Sequence, residues 1–237
     1  MRNLLLRAVA ASFGVQQMEV SLNVLMEAGT AVISDVFDKM GRLPPVLDNS
    51  LMPIPGPGIR FTGPAYTIIG ESHRWSGSGD RAKLAAIDAM VPGVVPVWAG
   101  NNIKGVCCFG DLLAEAMKAR GCAGVVVDGG VRDLAYLKSL DLPMMVRYRT
   151  PAQAIGRWRV SDSQVSIRVR GVLEDWVEVT PGDIVVADDD GVIVLPADLV
   201  DEIAAQVVEW AEKDSRARED IRKGTPLLEA LEKYGHL

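Results

Sequence analysis

The sequence predicts an α/β fold built in layers around a parallel sheet. Between residues 94 and 148, short apolar segments alternate with amphipathic segments in a strand-helix-strand-helix-strand order, a pattern typical of parallel sheets. After residue 150, the pattern changes to short segments in which apolar and polar residues alternate. A long amphipathic segment follows near the C-terminus, so we expect these strands to precede one extended final helix.

The first predicted elements are helical. Residues 21–41 indicate one helix or two, ending at Gly41, and Thr30 is a candidate N-cap for the second helix. Residues 42–60 are rich in proline, and we therefore expect an extended connection there rather than a helix or a strand.

The central elements follow from the positions of apolar runs and glycines. In chain order we predict a strand over 61–70, a helix over 81–90, strands over 94–98 and 105–109, a helix over 111–120, a strand over 124–127, a helix over 132–140 and a strand over 144–148. The side chains expected to face inward from the first two of these helices are Leu84, Ala85, Ile87, Leu112, Leu113, Ala116 and Ala119.

The C-terminal third predicts short strands and then the long helix. The strands cover 165–169, 175–179, 184–187 and 192–195, and the helix runs from about residue 197 to residue 223. The run from Asp188 to Gly191 resembles a metal-binding cluster, but its residues are also those of tight turns, and the flanking strands favour a hairpin. We expect a single domain over 1–237, with a core of about 28–196 and a helical appendage over 197–237.

Composition narrows the range of functions. The 237-residue chain has a net charge of −6 and no cluster of Lys or Arg, so we expect no nucleic-acid partner. No apolar run reaches membrane-spanning length, and the N-terminal 20 residues lack the pattern of a secretory signal, so we expect a cytoplasmic protein without a membrane partner. The three cysteines, at 107, 108 and 122, lack the spacing of a zinc site and are expected to be small buried thiols.

Two glycine-containing strand ends carry the most distinctive chemistry. Gly110-Asp111-Leu112-Leu113 follows one predicted strand, and Gly129-Gly130 precedes Arg132 and Asp133 after another. A helix N-terminus offers free backbone N–H groups to a carboxylate, and an arginine fork matches a carboxylate in bidentate fashion. An aspartate is a hard oxygen ligand suited to Mg²⁺ or Mn²⁺. We expect Gly129-Gly130 to allow positive φ angles at a sharp exit from the strand.

A structural interpretation of the same residues stays open. Asp111 and Asp133 could simply favour the starts of their helices, and Arg132 could pair with Asp128. Lys104 offers a metal-free alternative through an imine with the substrate, although no neighbour that would lower its pKa is evident.

At these residues the sequence resembles a known family. The segment from Gly121 to Asp133 is similar to the hallmark of the 4-hydroxy-4-methyl-2-oxoglutarate / 4-carboxy-4-hydroxy-2-oxoadipate aldolase family, a sister of the regulator of ribonuclease activity A. Further similar segments are 34–38, 63–67 and 181–192, and the resemblance covers about residues 28–224. It implies a three-layer β/β/α swivelling-domain fold with a long C-terminal helix, assembled as a homotrimer or as a hexamer made from two trimers.

The resemblance also implies a role for each site residue. Residues Gly110, Asp111, Leu112 and Leu113, together with Arg132, would bind the pyruvyl part of a small 2-oxo acid. Asp133 would be the direct ligand of Mg²⁺ or Mn²⁺, and Asp111 would hold a metal-bound water. A glutamate from the C-terminal helix of a neighbouring subunit would complete the catalytic set, and Glu212 is the best match, with Glu209 as the rival.

Two functions follow from the resemblance. The first is a metal-dependent (class II) aldolase that cleaves 4-hydroxy-2-oxo acids to pyruvate and a second oxo acid, with oxaloacetate decarboxylation as a side activity. The second is a non-catalytic regulator that binds an RNA-degrading enzyme. The regulators are shorter and lack the long C-terminal helix, so the predicted helix over 197–223 favours the enzyme.

Overall fold

The computed structural model describes residues 18–74, 76, 79–101 and 103–235. Most of the N-terminal segment assessed as a secretory signal therefore lies outside the described residues. The helices are α1 Met18–Ala28, α2 Thr30–Lys39, α3 Arg81–Asp88, α4 Asp111–Ala119, α5 Leu134–Ser139, α6 Val200–Arg222 and α7 Leu227–Tyr234. The strands are β1 Met52–Ile54, β2 Phe61–Ser72, β3 Val95–Ala99, β4 Cys107–Phe109, β5 Val125–Val131, β6 Met144–Arg149, β7 Trp158–Ser163, β8 Ile167–Arg170, β9 Trp176–Val179, β10 Ile184–Asp188 and β11 Gly191–Leu195.

One large sheet forms the centre of the molecule. Its strand order is β1-β6-β5-β3-β2-β10-β11, with β4 pairing with β5 and β7 pairing with β2. The pairs β2–β3, β3–β5, β4–β5 and β5–β6 are parallel, whereas the outer pairs are antiparallel. A second sheet contains only β8 and β9. The predicted α/β fold with a parallel centre and a long C-terminal helix is confirmed.

Three apolar cores separate the layers. Because side chains alternate across a strand, Val125 and Val127 of β5 face one core, whereas Val126 faces the next. The first core lies between the parallel strands and helices α3, α4 and α5. The second is shared by the parallel strands, by β8 and β9 of the small sheet, and by β10 and β11 of the large sheet. Ile184 and Val186 point the other way from β10, into a third core shared with α1, α2 and α6.

The predicted cap of α2 is wrong in detail. Thr30 is the first helical residue, and Gly29 at the N-cap position has no side chain to offer. The carboxylate of Asp188 accepts hydrogen bonds at 2.7 Å from both the backbone N–H and the hydroxyl of Thr30. The hairpin between β10 and β11 is present as predicted. Its first aspartate, Asp188, forms the hydrogen bonds that cap the start of α2.

The inward faces of α3 and α4 agree with the prediction only in part, since Ile87 is buried and Leu113 and Ala116 pack against the first core. Leu84 and Leu112 were expected in the core, yet both are exposed, Leu112 to 79%. On α3 the buried side chains are Lys83, Ala86 and Ile87, and on α4 they are Ala114 and Met117. On α3, Lys83 therefore faces the interior, whereas Leu84, which the apolar pattern predicted to be buried, faces outward.

The long helix α6 begins and ends close to the prediction. Ile203 and Val207 pack into the third core of their own chain, with Trp210 partly buried beside them. Within the described residues, no single helix is both long and apolar enough to cross a membrane, and α1 and α2 meet that test only together, across a bend of 103°.

Candidate active site

The two strand ends singled out in the sequence meet in space. Strands β4 and β5 are parallel neighbours, so their carboxyl ends lie at the same edge of the sheet. The backbone N–H of Asp111, at the start of α4, donates a hydrogen bond of 3.2 Å to Oδ2 of Asp133. The backbone N–H of Arg132 donates to the carbonyl of Phe109 at 3.2 Å. These contacts join the two predicted motifs into one site.

Glycine at position 110 is required by this contact. A Cβ atom added to Gly110 would lie 2.2 Å from Oδ2 of Asp133, which is too close for real atoms, and 3.0 Å from Nε of Arg132, which is a tight contact. The residue therefore leaves room for the aspartate and the arginine to approach the start of α4. The absence of a side chain, rather than an unusual φ angle, is what the site uses here.

The expectation that Gly129 and Gly130 bend the chain at positive φ is wrong. Strand β5 continues through both glycines to Val131, and neither has a positive φ. They are needed for close packing, because a Cβ at Gly130 would lie 2.4 Å from the ring of Tyr148 and one at Gly129 would lie 2.8 Å from Sγ of Cys108. The sharp exit occurs instead at Asp133, whose φ of 61° and ψ of 39° are left-handed.

Two of the first N–H groups of α4 are already paired with carboxylates. The N–H of Asp111 binds Asp133, and the N–H of Leu112 donates to Oδ1 of Asp111 at 2.7 Å. The helix start thus attracts negative groups, as its exposed N–H groups and dipole predict. An anionic ligand bound at this position would have to take the place of these carboxylates.

Arg132 does not pair with Asp128. The buried carboxylate of Asp128 is bound by Arg147 from the neighbouring strand β6. The Nε atom of Arg132 is buried and makes no hydrogen bond with any described residue, and it lies 3.4 Å from Oδ2 of Asp133 in an ion pair. Because Nε makes no hydrogen bond to Asp133, an oxygen ligand that takes the place of this carboxylate can accept one from it.

A cavity of about 340 Å³ opens beside these residues. Its lining residues are Gly79, Asp80, Lys83, Leu84, Cys107, Cys108, Phe109, Gly110, Asp111, Leu112, Leu113, Arg132, Gln153, Ala154 and Ile155. All five residues predicted to bind the substrate are among them. Asp133 does not line the cavity, but it contacts Asp111 and Arg132, which do.

Sequence reasoning missed Lys83 and considered Lys104 instead. Lys104 is exposed and does not line the cavity, whereas Lys83 is buried and does. The signal in the sequence was weak, because a lysine among alanines on a short helix is ordinarily solvent-exposed. The three cysteines are free and buried as predicted, and burial raises the pKa of Cys108 to about 12.

The donor set suits a cation that needs few protein ligands. Within the described part of the chain, no three or more His, Cys, Asp or Glu side chains are grouped to hold a metal ion. Asp133 nevertheless offers a carboxylate that is 38% exposed, and Mg²⁺ commonly takes one or two carboxylates and keeps several waters. The residues present therefore fit Mg²⁺ or Mn²⁺ on Asp133, but not a closed tetrahedral zinc site.

Glu212 is far less integrated into this site. Its side chain is 64% exposed on α6, lies 3.6 Å from Arg216 and does not line the cavity. The rival Glu209 is also exposed and pairs with Lys213 at 2.7 Å. Within one chain, neither glutamate reaches the cavity wall.

Comparison with known proteins identifies the family. A family model described as RraA-like, Aldolase/RraA, matches residues 30–194, which include both strand ends of the site. This chain belongs to the Aldolase/RraA family. The predicted resemblance to that superfamily is confirmed.

Individual relatives of this RraA-like chain have different names. A Thermus thermophilus protein named 4-hydroxy-4-methyl-2-oxoglutarate aldolase is 28% identical over 171 residues, covering 72% of this chain and 94% of the relative. Protein DlpA of Legionella pneumophila is 29% identical over 213 residues, and the aligned region covers 90% of this chain but only 33% of DlpA.

A solved structure supports the same fold. Streptomyces coelicolor RraAS2, described as an unusual member of the RNase ES inhibitor RraA protein family, superposes with a TM-score of 0.71 at 26% identity. The match covers 84% of this chain and 95% of RraAS2. The relatives thus include proteins named as aldolases and a member of an RNase inhibitor family. The choice between the two functions depends on the geometry of the candidate site.

Proposed function

We propose that this protein is a divalent-metal-dependent aldolase that cleaves 4-hydroxy-2-oxo acids to pyruvate and a second oxo acid. The observation that carries the proposal is Arg132, which lies in the wall of a cavity lined by Gly110 and the start of α4. Its buried Nε forms an ion pair with Asp133 but makes no hydrogen bond among the described residues. Such a donor beside a helix N-terminus suits the carboxylate of a small oxo acid.

Binding of the substrate would exchange partners at the start of α4. The substrate carboxylate would accept hydrogen bonds from Arg132 and from backbone N–H groups of the 110–113 turn, two of which now bind carboxylates of Asp133 and Asp111. Release of Asp133 from the Asp111 N–H would free its carboxylate for a cation. The cavity volume of about 340 Å³ is ample for a small oxo acid.

Bond cleavage requires a base and a group that stabilises the enolate formed by the released electron pair. A Mg²⁺ or Mn²⁺ ion on Asp133 would supply a Lewis acid that polarises the 2-oxo group. Asp111, or Glu212 of the partner subunit, would take the proton of the 4-hydroxyl through a water. The C3–C4 bond would break, C4 would become the carbonyl of the second product, and Arg132 would stabilise the negative charge of the pyruvate enolate until C3 is protonated.

The same residues would support oxaloacetate decarboxylation. Loss of CO₂ from oxaloacetate leaves its electron pair on the carbon next to the 2-oxo group, which again gives pyruvate enolate. Arg132 would stabilise the same charge in both reactions, so the decarboxylation would be a side activity of this site.

One assay tests the proposal directly. Pyruvate release from 4-hydroxy-4-methyl-2-oxoglutarate and from oxaloacetate should be measured with Mg²⁺ present and again after chelation. We expect release with both substrates that depends on the metal and is lost in Arg132→Ala. Absence of release from both substrates with Mg²⁺ or Mn²⁺ would contradict the aldolase proposal.

The second candidate is a non-catalytic regulator of an RNA-degrading enzyme. It is favoured by the similarity to RraAS2, which is described as belonging to an RNase inhibitor family. A regulator has no need of an arginine in a cavity wall whose Nε makes no hydrogen bond, so we place it second. Co-purification with an RNA-degrading enzyme by a protein that lacks pyruvate release would reverse that order.

A further inference from the structure

Lys83 is a buried cation in the wall of the candidate cavity. Its residue exposure is only 6%, and it lines the cavity together with Gly110 and Arg132. Its Nζ atom donates a hydrogen bond of 2.7 Å to the carbonyl of Cys108 and lies 4.9 Å from the ring centroid of Trp158. A buried lysine is costly unless its charge and its donors are used, so its presence here needs an explanation.

The donors of this ammonium group are not all used by the residues that the structure describes. An ammonium carries three N–H donors, and Cys108 takes one of them. The nearest carboxylate oxygen, Oδ2 of Asp80, lies 3.9 Å away, beyond hydrogen-bond distance. Asp80 is already occupied, since Oδ1 accepts from the N–H of Lys83 and Oδ2 accepts from the N–H of Val160. The lysine therefore keeps donor capacity that an oxygen ligand in the cavity can use.

We propose that the ammonium group of Lys83 binds an anionic oxygen of the pyruvyl unit of the substrate. This inference rests on the proposed function and adds a residue to its binding site. With Arg132 in the wall of the same cavity, Lys83 provides a second cation for the adjoining carboxylate and enolate oxygens of one small ligand. In a protein with a net charge of −6, this pair of cations supplies the local positive field that an acidic substrate requires.

The electrostatics of Lys83 provide a pH test of its role as a ligand-binding cation. Burial lowers the pKa of Lys83, and the charge of Arg132 adds a smaller effect in the same direction, whereas Asp80 and the thiols of Cys107 and Cys108 oppose it. A bound anion would raise the pKa of this amine again, because it favours the charged form. Ligand affinity should therefore fall as the pH rises through the pKa of Lys83 in the free protein.

The test uses oxalate, an unreactive mimic of pyruvate enolate, titrated by calorimetry into the full chain with Mg²⁺. Lys83→Met removes the charge and its donors while keeping the length of the side chain. We expect oxalate affinity to fall about ten- to hundredfold, the usual cost of losing a charged hydrogen bond, and the KM for the oxo acid to rise. Lys83→Arg should recover part of the affinity, because it restores a cation at this position.

Lys118→Met is the matched control. Lys118 belongs to the neighbouring helix α4 but pairs with Asp141 on the surface and does not line the cavity. Its substitution should leave oxalate affinity unchanged. Because Lys83 also binds the carbonyl of Cys108, its variant could unfold, and a measurement on the unaltered protein is therefore needed as well.

That measurement is acetylation of amines by acetic anhydride, followed by peptide mass spectrometry. Oxalate with Mg²⁺ should protect Lys83 and leave the labelling of Lys118 unchanged. Equal labelling of Lys83 with and without oxalate, or unchanged oxalate affinity in Lys83→Met, would overturn the inference and leave the aldolase proposal standing. An unaltered protein that neither binds oxalate nor releases pyruvate would overturn both.

Discussion

The backbone N–H of Asp111 lies 3.2 Å from Oδ2 of Asp133, so the first residue of α4 is bonded to the residue that precedes α5. Gly110 lies against this contact, where a Cβ atom would stand 2.2 Å from the same oxygen. The geometry of the candidate site thus depends on the smallest side chain in it.

The first prediction concerns Gly110. Gly110→Ala should displace Asp133 and Arg132 and reduce kcat/KM for pyruvate release about a hundredfold, since small displacements at a reacting centre have effects of this size. Gly79→Ala is the matched control, because Gly79 lines the same cavity but an added Cβ would have no atom of the described residues within 4 Å. Equal activity of the two variants would show that the Gly110 contact is not needed for catalysis.

The second prediction concerns the arginine fork. Arg132→Lys keeps a positive charge but loses the planar guanidinium and the buried Nε donor. We expect kcat/KM to fall by an amount equivalent to about 2–4 kcal/mol, the scale of removing one donor from an oxyanion site. Arg42→Lys, an identical substitution at an exposed position, should have no effect. Near-normal kinetics in Arg132→Lys would assign Arg132 a structural role only.

The third prediction concerns the metal. Pyruvate release should stop with EDTA and return with Mg²⁺ or Mn²⁺, since one carboxylate ligand gives only modest affinity. Asp133→Asn should abolish the metal-dependent release of pyruvate. The variant should still fold, because asparagine tolerates the left-handed backbone found at this position. Calorimetric titration of Mg²⁺ would check binding independently of turnover. Full activity after exhaustive chelation would exclude the metal mechanism.

The proximity of the two strand ends that form the candidate site could be predicted from the sequence. Gly110 and Asp111 follow one buried strand, and Arg132 and Asp133 follow another, and parallel neighbouring strands necessarily end at the same edge of a sheet. The hairpin at Asp188 was also predictable, because its residue types allow little else.

The burial of Lys83 could not be predicted in the same way. The apolar pattern of α3 favoured Leu84 as the inward residue, yet Lys83 is the buried one because Trp158 and the carbonyl of Cys108 receive its ammonium group. Trp158 belongs to β7, a strand the sequence pattern did not reveal. The capping of Thr30 by Asp188 likewise joins residues 158 positions apart, which no local pattern can indicate.

The fourth prediction concerns stability at alkaline pH. Burial raises the pKa of the Cys108 thiol from 9.0 to about 12, so above pH 9 the unfolded chain loses a proton that the folded chain retains. This contribution to stability is complete below pH 9 and declines by about 1.4 kcal/mol per pH unit as the pH rises towards 12. When the free energy of unfolding is measured with urea from pH 8 to 11, Cys108→Ala should make its decline with pH shallower by that amount.

A core variant without a titrating group provides the control for this measurement. Val127→Ala, also fully buried, should lower the free energy of unfolding equally at every pH and leave the slope unchanged. A slope in Cys108→Ala that matches the slope in Val127→Ala would contradict the assignment of alkaline destabilisation to this thiol.

The last prediction concerns the C-terminal helix. Ile203 and Val207 attach α6 to its own chain, while Glu212 is 64% exposed and does not line the cavity of that chain. If Glu212 serves catalysis, it must therefore reach the site of a neighbouring subunit, and activity would require the oligomer. Asp133→Ala and Glu212→Ala should each be inactive alone and recover partial activity when mixed as subunits, because some sites would then inherit both intact residues. The same mixing experiment with Glu209→Ala in place of the Glu212→Ala variant tests the rival glutamate. Verified mixed oligomers without any recovery would contradict a catalytic role of Glu212 in a neighbouring subunit.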